Sequence, residues 1–132
     1  MRKAFAVALI GMAFGLTASG VASAKTDLLD GKVFVGQVGK IGKARGDKDQ
    51  FVFQGGTFHS TACDPHGFKA VEYTADQTAQ AVAFQAESAN LKKETMLWRG
   101  MVQGDQISGT AVWERPGKKP AEYWFKGHLK QQ

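Results

Sequence analysis

The chain holds one cysteine, Cys63, in 132 residues. An internal disulfide is therefore excluded, and packing alone must stabilise the fold. The thiol is left free, paired to another molecule, or buried and inert. Prolines number only three, and no low-complexity stretch, linker or compositional shift marks a second domain. After residue 24 no segment has helical periodicity, and no apolar run is long enough to cross a membrane. Gly-x-Ser-x-Gly, His-Glu-x-x-His and phosphate-loop motifs are all missing. The acids are scattered over turns rather than paired across a cleft. No enzyme, catalytic residue or cofactor is expected on these grounds.

What is present begins with an export signal. Arg2 and Lys3 give a positive start, residues 4–16 are almost wholly apolar, and Ala22-Ser23-Ala24 forms an A-x-A cleavage pattern. The apolar run is too short for a membrane span of roughly 20 residues. The expected organisation is a cleavable signal peptide over 1–24 and one domain over 25–132, in the periplasm or outside a bacterial cell. Without Arg2 and Lys3, 15 basic side chains face 12 acidic ones, a formal charge of +3. That balance and the export signal argue against nucleic acid as a partner.

β-rich runs punctuated by Gly, Asp, Pro and Lys fill the rest. They predict eight strands, near 32–39, 50–54, 57–62, 68–75, 80–87, 95–103, 106–114 and 121–130. Gly55-Gly56 reads as a tight hairpin turn pairing Phe53 with Phe58, and Gly104-Asp105 as another, of the Gly-first kind. The second turn sets Val102 opposite Ile107, Gly100 opposite Gly109, Trp98 opposite Ala111 and Met96 opposite Trp113. Pairing Glu114 with Glu122 would then set Trp113 against Tyr123, Ala111 against Phe125 and Gly109 against Gly127. Three glycines fall in one row, as expected either where a sheet curls or where space is left for a ligand. The inward faces of other strands carry Val82, Phe84 and Ala86, with Phe34 and Phe51. His59 and His128 fall on the outer face. A curled antiparallel sheet of eight strands closes most simply into an up-and-down barrel with no substantial helix.

In such a barrel alternate connections share an end. Those near 55–56, 76–79 and 104–105 are short and carry no Lys or Arg. Those near 40–49, 63–67, 88–94 and 115–120 carry Lys40, Lys43, Arg45, Lys48, Lys92, Lys93, Arg115, Lys118 and Lys119. The expectation is a bare closed end and a basic open mouth, with Met96, Trp113 and Tyr123 just inside. Apolar walls with a cationic rim suit a small amphipathic anion, or an anionic surface docked on the rim. The alternative is a set of loops kept polar for solubility.

Cys63-Asp64-Pro65-His66-Gly67 is the most unusual segment. Asp-Pro followed by Gly reads as a turn, which would bring Cys63 and His66 within about 7 Å at Cα. An imidazolium there would lower the thiol pKa, and the pair could supply two ligands to a soft metal. Two ligands are half a site, so no metal is assigned. The plain alternative is a turn around one semi-buried Cys.

The stretch Gly104-Asp105-x-Ile107-x-Gly109-Thr110-x-x-Trp113, followed by Phe125-x-Gly127-x-Leu129, resembles the final strands of calycin-type barrels. These are lipocalin-like domains of exported bacterial proteins. The likeness extends to strand count over the whole chain after residue 24, while Gly31-Lys32-Val33-Phe34 stands where lipocalins usually carry Gly-x-Trp. The resemblance implies a lipocalin-like barrel and, as a family habit, ligand binding. The expected function is an exported, non-enzymatic binding protein for a small amphipathic or anionic molecule. Trp98, Trp113, Tyr123 and Phe125 would line the way in, with Arg115 and Lys92 as its cations. Two alternatives stay open: a thiol, redox or metal-linked role through Cys63 and His66, and docking or inhibition of an acidic envelope protein through the rim.

Intact-mass measurement of the exported protein should give a chain beginning at Lys25; a mass retaining 1–24 would refute the cleavage reading.

Overall fold

Val, Phe, Tyr and Trp alternating with polar residues suit a pleated sheet with one buried face, and the strands between residues 33 and 129 follow that pattern. The computed structural model describes residues 27–131; the signal-peptide reading over 1–24 lies outside them. The strands are β1 (Val33–Lys40), β2 (Asp47–Gln54), β3 (Thr57–Ser60), β4 (Val71–Gln77), β5 (Val82–Ala89), β6 (Thr95–Gln103), β7 (Gln106–Glu114) and β8 (Ala121–Leu129). Each pairs antiparallel with its neighbour in sequence, and β8 closes on β1, giving an eight-stranded up-and-down barrel. The predicted third strand is cut short at Ser60, and a 3₁₀ turn, Thr61–His66, carries the Cys63 segment onward.

The two tight hairpins set the register as the sequence predicts. Gly55 and Gly56 both take positive φ, and Phe53 faces Phe58. Gly104 takes φ +60°, and β6 and β7 pair Val102 with Ile107, Gly100 with Gly109 and Met96 with Trp113. The β7–β8 register differs from expectation by two residues: Trp113 faces Ala121, Ala111 faces Tyr123 and Gly109 faces Phe125. An even slip leaves every side chain on its expected face but moves it one row along the barrel. Gly127 therefore leaves the Gly100–Gly109 row and sits opposite Gly36 across the β8–β1 closure.

This arrangement gives the glycines their purpose. A Cβ at Gly109 would lie 2.1 Å from the Arg99 carbonyl oxygen and 2.8 Å from Cζ of Phe125. One at Gly36 would lie 1.9 Å from the Lys126 carbonyl oxygen. The row is bare so that the Phe125 ring can cross the interior. Rings from successive strands then fill the barrel: Phe53 meets Phe58, Tyr73 and Phe84 at centroid distances of 5.0–5.2 Å. Phe125 meets Phe51 and Trp98 at 5.1 Å.

The end bearing the short turns is sealed by residues 27–32, which the strand pattern did not foresee. Leu29 is fully buried there. Its N–H donates to the Tyr73 hydroxyl at 3.0 Å, and that hydroxyl donates to Asp30 Oδ1 at 2.8 Å. Both Asp30 oxygens accept from the Gly56 N–H, at 2.9 and 3.1 Å. Burial pushes the Tyr73 hydroxyl pKa far up, and its hydrogen bond to Asp30 adds to this.

Gly109→Ala should destabilise the fold by about 1–3 kcal/mol, because neither the Arg99 carbonyl nor the Phe125 ring can retreat freely. Urea unfolding measures this; an unchanged midpoint would mean the row is bare for another reason.

Candidate functional site

The four connections at the other end form a tied rim. The β1–β2 loop is fastened by the Trp124 indole N–H, which donates to the Lys43 carbonyl at 2.9 Å. Asn90 braces two loops together: its amide donates to the His66 carbonyl at 2.8 Å and to Glu94 Oε1 at 2.9 Å. Its Oδ1 accepts from the backbone N–H of Lys92 and of Glu94, both at 3.0 Å. The Asn90 amide is the main cause holding the Glu94 carboxyl below the usual range.

Within this rim lies an open cavity of about 400 Å³. Trp98, Met96 and Ala111 form its floor, Trp113 and Tyr123 its walls, and Lys40, Lys43 and Arg45 its cationic lip, opposed by Asp47. Tyr123 faces Ala111 and so stands one row deeper than the sequence placed it. The hydroxyl is shifted upward by burial, against the pull of Arg115. Trp98, Trp113 and Tyr123 therefore meet at one cavity.

Phe125 does not line it. Its exposure is 1%, and it lies in the row below, packed on Phe51 and Trp98. The two-residue register shift is the reason. Arg115 and Lys92 are also displaced: they line a second depression of about 630 Å³ outside the mouth cavity. Trp113 and His66 line both hollows and form the partition between them, with ring centroids 4.8 Å apart. The Arg115 guanidinium carbon sits 4.6 Å from the Trp113 ring centroid. The Trp113 indole nitrogen and Arg115 Nε are buried, with no hydrogen-bond partner among the described residues. Lys40, Lys43 and Arg45, which the sequence placed on the basic rim but not among the ligand-binding residues, are the cations that line the cavity. Their membership of the first long loop was the only sequence signal.

Cys63 is buried at the cavity's edge. Its surroundings do not fit an activated thiol. Burial pushes it up to about 11, and the Asp49 and Asp64 carboxylates push the same way, against the Ser60 hydroxyl. His66 turns its ring to Trp113, and the groups that act on the thiol are Ser60, Asp49 and Asp64. Asp64 lies against a different histidine, with Oδ1 2.5 Å from His59 Nε2. Among the described residues no three His, Cys, Asp or Glu side chains group as a metal would require.

The turn carrying Cys63 and His66 is anchored by Asp49, a buried carboxylate. Asp49 accepts from the Ser60 hydroxyl at 2.5 Å, the Ala62 N–H at 3.0 Å and the Thr61 hydroxyl at 3.3 Å. Burial raises its pKa above the ordinary 3.8, although all these bonds pull it down.

Comparison with known protein families, curated proteins and solved structures finds no match for this chain. The site is therefore read from its own geometry.

Two outcomes follow for the Cys63 segment. Alkylation of Cys63 in the folded protein should be slow near neutral pH and accelerate as pH rises toward about 11, because only the thiolate attacks. Rapid labelling at pH 7, followed by mass spectrometry, would contradict the burial described. Asp49→Ala should cost about 1–3 kcal/mol through the orphaned Ser60 and Ala62 donors. Because the fold raises the Asp49 pKa, its contribution is largest below 3.8 and declines as pH climbs through the raised value. The stability of the wild type relative to Asp49→Asn should thus fall as pH rises from 3.8, read from urea curves across pH; a rising difference would reverse the assignment.

Proposed function

We propose that this is an exported, non-enzymatic binding protein of lipocalin-like kind, whose mouth takes a small molecule with an apolar or aromatic body and an anionic head. The observation that carries the reading is the cavity of about 400 Å³ with Trp98, Trp113 and Tyr123 inside and Lys40, Lys43 and Arg45 at its lip. Pockets for small ligands run from about 300 to 1,000 Å³ and combine apolar walls with a few convergent polar groups. This one lies at the small end, because phenylalanines fill the barrel beneath it. A short amphiphile or a single substituted aromatic ring fits such a space, whereas a long lipid chain does not.

The orientation follows from the chemistry of the two zones. The body displaces water from the aromatic floor and walls, where burial contributes about 25 cal/mol per Å² of apolar area. The head stays at the lip, where three cations outnumber Asp47. The partition tryptophan, with Arg115 stacked behind it, is held in place to receive the ligand's flank, and its fluorescence reports the contact.

Tryptophan emission should therefore change on titration with decanoate, and change less with the uncharged alcohol of the same chain length. Trp113→Ala should weaken decanoate binding at least about tenfold, a loss of about 1.4 kcal/mol. Lys43→Glu with Arg45→Glu should weaken binding of the acid and leave that of the alcohol alone. Absence of any emission change or thermal stabilisation across short fatty acids and aromatic carboxylates would defeat the proposal.

A further inference from the structure

Three of the four mouth connections are built to one plan. In each, a four-residue turn is closed by a hydrogen bond from the fourth N–H to the first carbonyl: Lys43 to Lys40 at 3.0 Å, Lys93 to Asn90 at 3.1 Å and Lys118 to Arg115 at 3.1 Å. In each, the second residue is apolar and the fourth is lysine. The sequences are Lys40-Ile41-Gly42-Lys43, Asn90-Leu91-Lys92-Lys93 and Arg115-Pro116-Gly117-Lys118. The third position is glycine at φ +94° in the first turn and φ +75° in the last. Ile41, Leu91 and Pro116 thus stand at turn apices, each with a cation two residues on.

Their exposure is unusual. The large apolar side chains most open to solvent among the described residues are Ile41 at 54%, Leu91 at full exposure and Met101 at 47%. Two of the three are rim apices. The β1–β2 and β5–β6 connections lie across the ring from each other in an eight-stranded order, so Ile41 and Leu91 flank the mouth from opposite sides. The connections at the sealed end have neither a large apolar apex nor a lysine: they are Gly55-Gly56, Gly104-Asp105 and Thr78-Ala79-Gln80-Ala81. The pattern belongs to one end of the molecule.

We infer that the mouth end docks on an anionic lipid surface, with Ile41 and Leu91 inserting at the boundary between headgroups and acyl chains. The lysines beside them would meet the headgroup phosphates. Isolated apolar tips around a hollow do not make the continuous apolar patch that a protein interface centres on. They do suit a deformable surface that lets each tip sink separately while nearby cations stay at the headgroups. The turns are already hydrogen-bonded, so little ordering is needed on contact. The inference goes beyond ligand binding in the cavity and stands even if the cavity binds nothing.

The test is co-sedimentation of the purified protein with vesicles of phosphatidylcholine alone, and with vesicles in which part of it is replaced by phosphatidylglycerol. The protein should pellet with the second kind only, and raised salt should release it. Ile41→Ser with Leu91→Ser should lower the partition at least about tenfold, with the circular dichroism spectrum unchanged. Lys93→Gln and Lys118→Gln should each lower it about fivefold. Trp113→Ala, which weakens the cavity, should leave it alone, so failure of docking and failure of ligand binding are read separately. Failure to pellet with anionic vesicles would overturn the inference, as would full binding by the Ile41→Ser, Leu91→Ser variant. Salt-sensitive retention on an immobilised acidic protein without vesicle binding would also overturn it, assigning the rim to a protein partner.

Discussion

The structure depends on aromatic rings crossing the interior of a barrel barely wide enough to hold them. Eight strands leave room for side chains or for one small ligand. This chain uses both options in succession, with rings below and a hollow above. The fill requires places where the wall has no side chain. Gly100 and Gly109 make room for the Phe125 ring, and Gly36 and Gly127 let β1 and β8 approach at the closure. Interior glycines weaken strands; here that cost is offset by ring packing they alone permit. Where the phenylalanines stop, the cavity begins, and its floor is set by Trp98.

The two ends are finished by different means. At the sealed end, the Tyr73 hydroxyl accepts from the Leu29 N–H and donates to Asp30, which accepts from the Gly56 N–H. Backbone groups that the ending strands would leave unpaired are thereby satisfied. At the mouth, Asp49 does comparable service for the 3₁₀ turn, and Asn90 for the neighbouring loop. Neither carboxylate is paired with a cation, so each relies on neutral donors. The rim is therefore braced by hydrogen bonds although it consists of loops, and the partition of His66 and Trp113 stands between two hollows without support from a strand on the His66 side.

Much of this architecture was legible in the residues. A two-residue Gly-first turn admits one register, so the β6–β7 pairing could be written down to each row. The connection from Arg115 to Pro120 is longer and imposes no such constraint, and there the reading slipped by two. Parity survives an even slip, so Trp113, Tyr123 and Phe125 were rightly placed inside. Depth does not survive it, and Phe125 was put on the cavity wall rather than beneath it. Residues 27–32 carry no period, so their role as a plug had no signal. The Cys63 segment was correctly seen as a turn. What the thiol meets there depends on Asp49 and Ser60 from other strands, which local spacing does not reveal. The cations at the lip were visible as a group, but only the folded loops separate Lys43 and Arg45 from Lys92 and Arg115.

One seam of the barrel is far thinner than the others. β3 and β4 are joined by only two residue pairs, Thr57 with Glu72 and Phe58 with Val71, whereas β6 and β7 share nine. A closed cylinder has least to lose where the fewest bonds must part, and this line is that place. Amide exchange should be fastest on both sides of it. The 3₁₀ turn spans the same gap on the mouth side and carries the buried Cys63. A thiol beside the weakest seam, in a chain with no second cysteine, is sheltered by the fewest strand pairings the wall offers.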